Sequence, residues 1–186
     1  MALPSYYPLY VPEDPEIKIR IDKGLICDLH RKAAHGVIEW TPGRVRTDDV
    51  FVRDHNDVVV YTPPNYLDVD AKFAELIEVF NTSQDREAEY LAALAIWLVN
   101  WVHPFYNANG RTSRALGYLV LCVGHRVPTP PGVNTFFSQL SERKPEYVRC
   151  IRDADASYAK GVIDVSGMQA FVEELFLKQL ESAVTD

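Results

Sequence analysis

Basic charge is scarce in this chain: 19 Lys and Arg stand against 26 Asp and Glu in 186 residues, a net charge of −7. A general nucleic-acid binder needs a basic face to neutralise phosphates, so that class is excluded, although a local basic pocket is not. Cysteine is scarcer: only Cys27, Cys122 and Cys150. They are odd in number, far apart and lack C-x-x-C spacing, which speaks against a disulfide framework or a zinc site. They read as reduced thiols filling core space, and a cytoplasmic location is expected. Long apolar runs are missing too. The longest, 91–102, contains Asn100 and is too short to span a bilayer, so no membrane association is expected. The first fifteen residues are rich in Pro and Tyr and lack a basic start followed by an apolar run, so no secretory signal is expected. Strand-forming sequence is confined to one place, which rules out a large sheet.

A hydrophobic fraction of 47% with 24% charged residues is ordinary for a globular domain. The length suits one core, and no repeat or linker divides it, so residues 1–186 are expected to form a single domain. Residues 1–13 read as an extended arm, because Pro4, Pro8 and Pro12 deny a helix. Asp14-Pro15-Glu16 reads as a helix start, and Ile17, Ile21, Leu25 and Leu29 give that helix one apolar face until Gly36. The stretch 40–49 reads as loop. Segments 50–52 and 58–61, rich in β-branched and aromatic residues, flank Asp54-His55-Asn56-Asp57 and predict a hairpin stopped by Pro63-Pro64. An isolated hairpin must lean on helices to be stable.

Helical patterns fill the rest. One is expected over 68–80. A second runs to about 102, is capped by Thr82 or Ser83, and is apolar all round in its second half, which predicts burial on every side. A third starts near Asn109. Three more are expected over 134–143, 145–157 and 166–184. The fold class is therefore all-α with one small hairpin.

Between the second and third of these helices lies His103-Pro104-Phe105-Tyr106-Asn107-Ala108-Asn109-Gly110-Arg111-Thr112-Ser113-Arg114. Pro104 breaks the incoming helix. Arg111 and Arg114 are three apart, share a face, and sit in or near the first turn of the outgoing helix. Cations there oppose the helix dipole by roughly 0.3–1 kcal/mol each, with no acid in that turn to balance them. A locally unfavourable choice of this kind marks a functional site. Free backbone N–H groups, close approach at Gly110 and two guanidiniums describe an anion site suited to a di- or triphosphate. His103, just before it, is placed to accept a proton from an incoming hydroxyl.

This stretch resembles the signature of the Fic family, H-P-F-x-[D/E]-[G/A]-N-G-R-x-x-R, at eight positions, counting Ala108 as allowed. The resemblance extends to an upstream hairpin ending in Pro-Pro and to the helical remainder, over about residues 20–160. It implies a Fic-type helical bundle with a flap next to the active-site loop. The implied activity is transfer of AMP from ATP to a Ser, Thr or Tyr hydroxyl of a target protein. By that resemblance His103 is the general base, Asn109, Gly110 and Arg111 hold phosphates with nearby N–H groups, and Arg114 reaches the γ-phosphate. Val58, Val59, Val60 and Tyr61 become the flap that docks the target by strand pairing. Phe105 becomes a core anchor beneath the loop.

Asn107 departs from the family pattern. The family places there an acid that holds Mg²⁺, and a neutral carbonyl oxygen is a poorer ligand for that hard cation. Two function classes follow: a protein-modifying transferase, or a Fic-fold module of low or altered activity that uses another donor or only binds. Asn107 can equally be a loop-capping residue. Arg114 can pair with a carboxylate in the resting protein without losing phosphate contact. Many Fic proteins carry an inhibitory [S/T]-x-x-x-E-[G/N] helix. Ser83-x-x-x-Glu87 and Ser138-x-x-x-Glu142 fail its last position, so no built-in inhibitor is expected, and restraint falls to a separate small antitoxin-like chain or to a weak metal site alone. His30, His35, His55 and His125 have no metal spacing and read as structural, as do Trp40, Trp97 and Trp101.

Overall fold

The computed structural model describes residues 19–36 and 41–183. Along the chain come α1 (Lys23–Ala33), β1 (Val52–Arg53), β2 (Val59–Tyr61), a single 3₁₀ turn (Tyr66–Asp68), α2 (Val69–Thr82), α3 (Ala88–Val102), α4 (Asn109–Gly124), α5 (Phe136–Glu142), α6 (Lys144–Tyr158) and α7 (Ser166–Glu181). The protein is all-α with one small antiparallel hairpin, the class expected from its sequence.

α3 is the central post. Leu91 through Val99 are all buried, with Trp97, Ile96, Leu94 and Leu98 fully so. Each such side chain contributes roughly 1.5–3 kcal/mol by leaving water. α2, α4, α6 and α7 pack around it. α4 approaches it closely at Gly117 and Gly124, where a Cβ would collide with the side chains of Ile96 and Ala88. α7 adds Met168, Phe171, Val172, Leu175 and Phe176 to the same core. Its Gln179 accepts the Phe136 N–H at 2.7 Å, while Gln139 donates to the Leu175 carbonyl at 2.9 Å. Those two bonds fix α5.

Three local expectations are corrected. The first helix begins at Lys23, capped by Asp22, whose carboxylate accepts the Leu25 N–H at 2.7 Å. Residues 19–22 are not helical. Asn81 of α2 accepts the Ile21 N–H at 3.0 Å and donates to its carbonyl at 2.8 Å, and this tertiary pairing replaces helical bonds. Asp14, Ile17, the N-terminal arm and Trp40 lie outside the described residues. Thr82 and Ser83 do not cap α3. Their hydroxyls donate backwards to Glu78 and Val79 carbonyls at the end of α2, and α3 starts after Glu87 without a side-chain cap. The hairpin is shorter than its apolar runs: Val52 faces Tyr61 and Arg53 faces Val59, with an irregularity between them. Asp54 closes its loop by accepting the N–H groups of Asn56 and Val58 at 2.9 and 3.0 Å.

Candidate active site

The loop from His103 to Ala108 joins the buried ends of α3 and α4. Both flanking residues are left-handed: His103 at φ 49° and Ala108 at φ 58°. For a non-glycine residue that conformation costs roughly 1–2 kcal/mol. His103 closes α3, its N–H donating to Val99 at 3.1 Å. Ala108 opens α4 with no side-chain cap.

Four groups hold the loop in this shape. Phe105 is fully buried, and the Asn109 carboxamide pairs with its backbone, accepting the N–H at 3.0 Å and donating to the carbonyl at 2.7 Å. His30 of α1 lies flat on the Phe105 ring, centroids 3.7 Å apart. Its Nδ1 accepts the Gly43 N–H at 2.7 Å, so Nε2 carries the proton and donates to the Asn107 carbonyl at 3.1 Å. Gly43 is held at φ 80° in a Thr41-Pro42-Gly43-Arg44 turn closed by Arg44 N–H to Thr41, the type II geometry that favours glycine. Burial pushes the His30 pKa down, the Asn107 carbonyl opposes this, and the Arg111 charge adds to it. Arg46, buried, donates its Nε to the His103 carbonyl at 2.9 Å. The Tyr106 hydroxyl donates to Asp48 at 2.7 Å and accepts the Thr47 N–H at 3.0 Å.

The surroundings of His103 leave one ring nitrogen free to accept a proton. Its Nδ1 faces the Asn100 carbonyl at 3.3 Å. A carbonyl only accepts, so Nδ1 carries the proton and Nε2 keeps its lone pair. Burial lowers its pKa to about 4; the Asn100 carbonyl works against that and the Arg46 charge reinforces it. The ring is therefore neutral at physiological pH.

The candidate anion site lies at the start of α4. Its first intrahelical bond is Thr112 N–H to the Ala108 carbonyl, so the N–H groups of Asn109, Gly110 and Arg111 precede the ladder. No acid lies in that turn. Arg111 is exposed and Arg114 half-buried. A Cβ on Gly110 would stand 3.2 Å from Arg114 Nη1, so that guanidinium lies against the helix start. Among the described residues neither arginine pairs with a carboxylate. Arg114 also lines a pocket of about 410 Å³ with Phe137, Leu140, Ser141, Lys144, Tyr147 and Val148 from α5 and α6.

Two expected roles are narrowed. The Asn109 side chain is buried and spent on Phe105, which leaves only its backbone N–H for a phosphate. The Asn107 carboxamide oxygen accepts the Ala108 N–H at 2.6 Å, the loop-capping arrangement. Among the described residues no cluster of His, Cys, Asp or Glu could hold a metal. The Asn107 carboxamide is thus engaged within the loop.

The hairpin stands beside the base. The Tyr61 ring centroid is 6.2 Å from that of His103, and its hydroxyl donates to the Trp101 carbonyl. Burial holds the Tyr61 hydroxyl well above the usual tyrosine pKa. Val58, Val59 and Val60 are exposed. Residue spacing did not single out His30 or Arg46. Their partners lie 77 and 57 residues away. The one visible hint is that His30 shares the apolar face of α1 with Ile26.

No helix among the described residues is long and apolar enough to cross a membrane. The model of the Fic/DOC family matches residues 20–121, more than half of the chain. A Fido domain-containing protein of Dictyostelium discoideum is 28% identical over 123 residues, 64% of this chain and 76% of its own length. A protein adenylyltransferase Fic of Nematostella vectensis is 31% identical over 117 residues, 60% of this chain but 24% of its own length. Among solved structures, a Fic family protein of Desulfovibrio desulfuricans superposes with a TM-score of 0.70 at 19% identity, over 88% of this chain and 47% of its own. A Fic domain containing signaling protein of Bacteroides thetaiotaomicron gives 0.66 at 21% identity, over 89% and 61%. This chain thus spans about a quarter of the Nematostella relative and about half of the Desulfovibrio one. Motif, fold and family model agree: the chain belongs to the Fic/DOC family.

Proposed function

We propose that this protein transfers AMP from ATP to a Ser, Thr or Tyr hydroxyl of a target protein. The observation that carries the reading is the placement of a neutral histidine one short loop before an uncapped, doubly cationic helix start. His103 Nε2 takes the hydroxyl proton as the hydroxyl oxygen attacks the α-phosphorus. The bond from that phosphorus to the β-phosphate bridging oxygen breaks, and pyrophosphate leaves. The N–H groups of Asn109, Gly110 and Arg111 hold the phosphates, with the Arg111 and Arg114 forks on the outer oxygens. The pocket lined by Phe137, Leu140 and Val148 takes the nucleoside. A histidine pKa of about 4 is low for a general base, but phosphate charge beside it raises that value towards the useful range. The exposed edge of β2 receives the target segment as an added strand. A separate inhibitory chain placing a carboxylate on Arg114 would compete with the terminal phosphate, which fits the absence of a carboxylate partner for Arg114 among the described residues.

Asn107 supports a second reading, a nucleotide-binding module with little turnover, because its carboxamide caps Ala108 instead of presenting a carboxylate. Incubating the protein with ATP labelled at the α-phosphate and a cell lysate separates the two. Transfer is expected with the wild type and lost with His103→Ala, by roughly 10²–10⁴-fold in rate. His103→Ala should still bind nucleotide. Tight ATP binding with no labelled protein would select the binding module, and wild-type transfer by His103→Ala would refute the base.

A further inference from the structure

Arg46 is the only Lys or Arg buried among the described residues, its side chain wholly inaccessible. It touches neither the pocket nor the α4 start. A buried guanidinium ordinarily sits on a carboxylate. Here the Asp49 carboxylate is half exposed and 3.7 Å away, outside hydrogen-bond distance. Backbone carbonyls satisfy the charge instead. Nε donates to His103 at 2.9 Å, Nη1 to Asp48 at 2.9 Å and Nη2 to Pro64 at 2.5 Å. The Arg46 N–H donates to Pro104 at 2.9 Å.

Three of these carbonyls belong to two parts of the site. His103 and Pro104 are the end of α3 and the start of the catalytic loop. Pro64 lies on the segment that leaves the hairpin. Tyr61, the last residue of β2, adds a second bond to the same turn of α3 through the Trp101 carbonyl. The hairpin and the last turn of α3 are thereby fastened together twice, by two residues. The negative end of the α3 dipole also favours a cation at this spot.

We infer that Arg46 is a positioning residue that locks the hairpin to the base, so that seating a target strand on β2 also delivers its hydroxyl to His103 Nε2. This rests on the transfer reading above. Its physical ground is geometric tolerance: misplacing a reacting group by about 1 Å costs about 10²-fold in rate. A planar fork can span carbonyls from two segments at once; a lysine ammonium cannot hold the same set. A hairpin free to slide against α3 would still bind targets, but with the hydroxyl out of register.

Arg46→Lys, Tyr61→Phe and the double variant test the lock. All are to be checked for wild-type far-ultraviolet circular dichroism and for ATP affinity by calorimetry, which should stay within about twofold because neither residue touches the anion site. Steady-state transfer should show kcat down about 10²-fold in Arg46→Lys, with target KM up several-fold. The double variant should fall short of the product of the single losses, because the two bonds serve one lock. Amide exchange gives a readout without activity: protection should drop together over 52–61 and 103–108. Tyr61→Phe, which removes one hydroxyl, keeps this arm available if Arg46→Lys does not fold. Unchanged kcat in folded Arg46→Lys overturns the lock, as does loss of protection in only one segment. If the wild type transfers nothing while protection still falls in both segments, the transfer reading fails and the lock stands.

Discussion

Keeping His103 neutral and half-buried has a cost that can be measured without any substrate. An unfolded histidine titrates near 6.5, and burial holds His103 at about 4 in the folded chain. Below about pH 6.5 the unfolded state takes up a proton that the folded ring refuses, so acid favours unfolding. The loss grows as pH falls and levels off near pH 4, where the folded ring also protonates. A gap of about 2.5 pKa units corresponds to roughly 3 kcal/mol in full, of which about 2–3 kcal/mol is present at pH 4.5. His30, whose pKa is also depressed, and the carboxylates titrate in the same range. They are removed by comparison with His103→Asn, which cannot titrate and tolerates the left-handed backbone. Urea unfolding of both proteins at about pH 7.5 and pH 4.5 is the assay. The wild type should lose about 2–3 kcal/mol more than His103→Asn over that interval. Parallel losses would refute a desolvated, neutral His103.

Arg111→Ala should weaken ADP and ATP more than AMP, while Arg114→Ala should weaken ATP more than ADP or AMP; calorimetric titration with the three nucleotides checks both, and equal losses for AMP and ATP in Arg114→Ala would remove it from the γ-phosphate. Asn107→Asp should raise the Mg²⁺ dependence of transfer, and its rate, by supplying a carboxylate at the loop; a slower variant would mean that the Asn107 cap on Ala108 is itself required. His30→Phe keeps the stack on Phe105 but leaves the Gly43 N–H and the Asn107 carbonyl without their partner. Its unfolding free energy should fall by about 2–4 kcal/mol in denaturant melts, and a loss under about 1 kcal/mol would mean that water replaces both bonds.

The parts of this protein that could be read from sequence are those whose cause is local. α3 was legible because nothing polar interrupts 91–99, so only full burial suits it. The cationic helix start was legible because Arg111 and Arg114 sit where a helix dipole repels them, directly after Gly110. The start of α1 was not. Asp14-Pro15-Glu16 is the stronger local signal, yet Asn81 claims both backbone groups of Ile21 from another helix. Thr82 and Ser83 show a second limit. A hydroxyl can cap the next helix or bond back to the last turn of the previous one, and the same residues serve either use. His30 and Arg46 were unreadable for the first reason. A histidine on an apolar helix face and an arginine after a Pro-Gly turn acquire meaning only when the chain brings them to Asn107 and His103.

The same distinction explains why the loop needs so much holding. Two left-handed non-glycine residues and two uncompensated cations together oppose this conformation by a few kcal/mol. Glycine at 103 would relieve one of the two left-handed strains, but the proposed transfer needs an imidazole there to take the proton. The chemistry therefore fixes the strain, and the strain must be met by groups that do no chemistry. Asn109 is the clearest case. It lies inside the motif that points to phosphate, yet its carboxamide is committed to both backbone groups of Phe105. His30 clamps the same loop from α1, and Arg46 fixes the His103 peptide. With the side chain of Asn109 spent in this way, the proposed anion binding falls to the backbone N–H groups of 109–111 and to the two guanidiniums. Those are the groups that a bound phosphate would stabilise most. The free loop is thus held by internal bonds, while the helix start it carries is left electrostatically unfinished until an anion arrives.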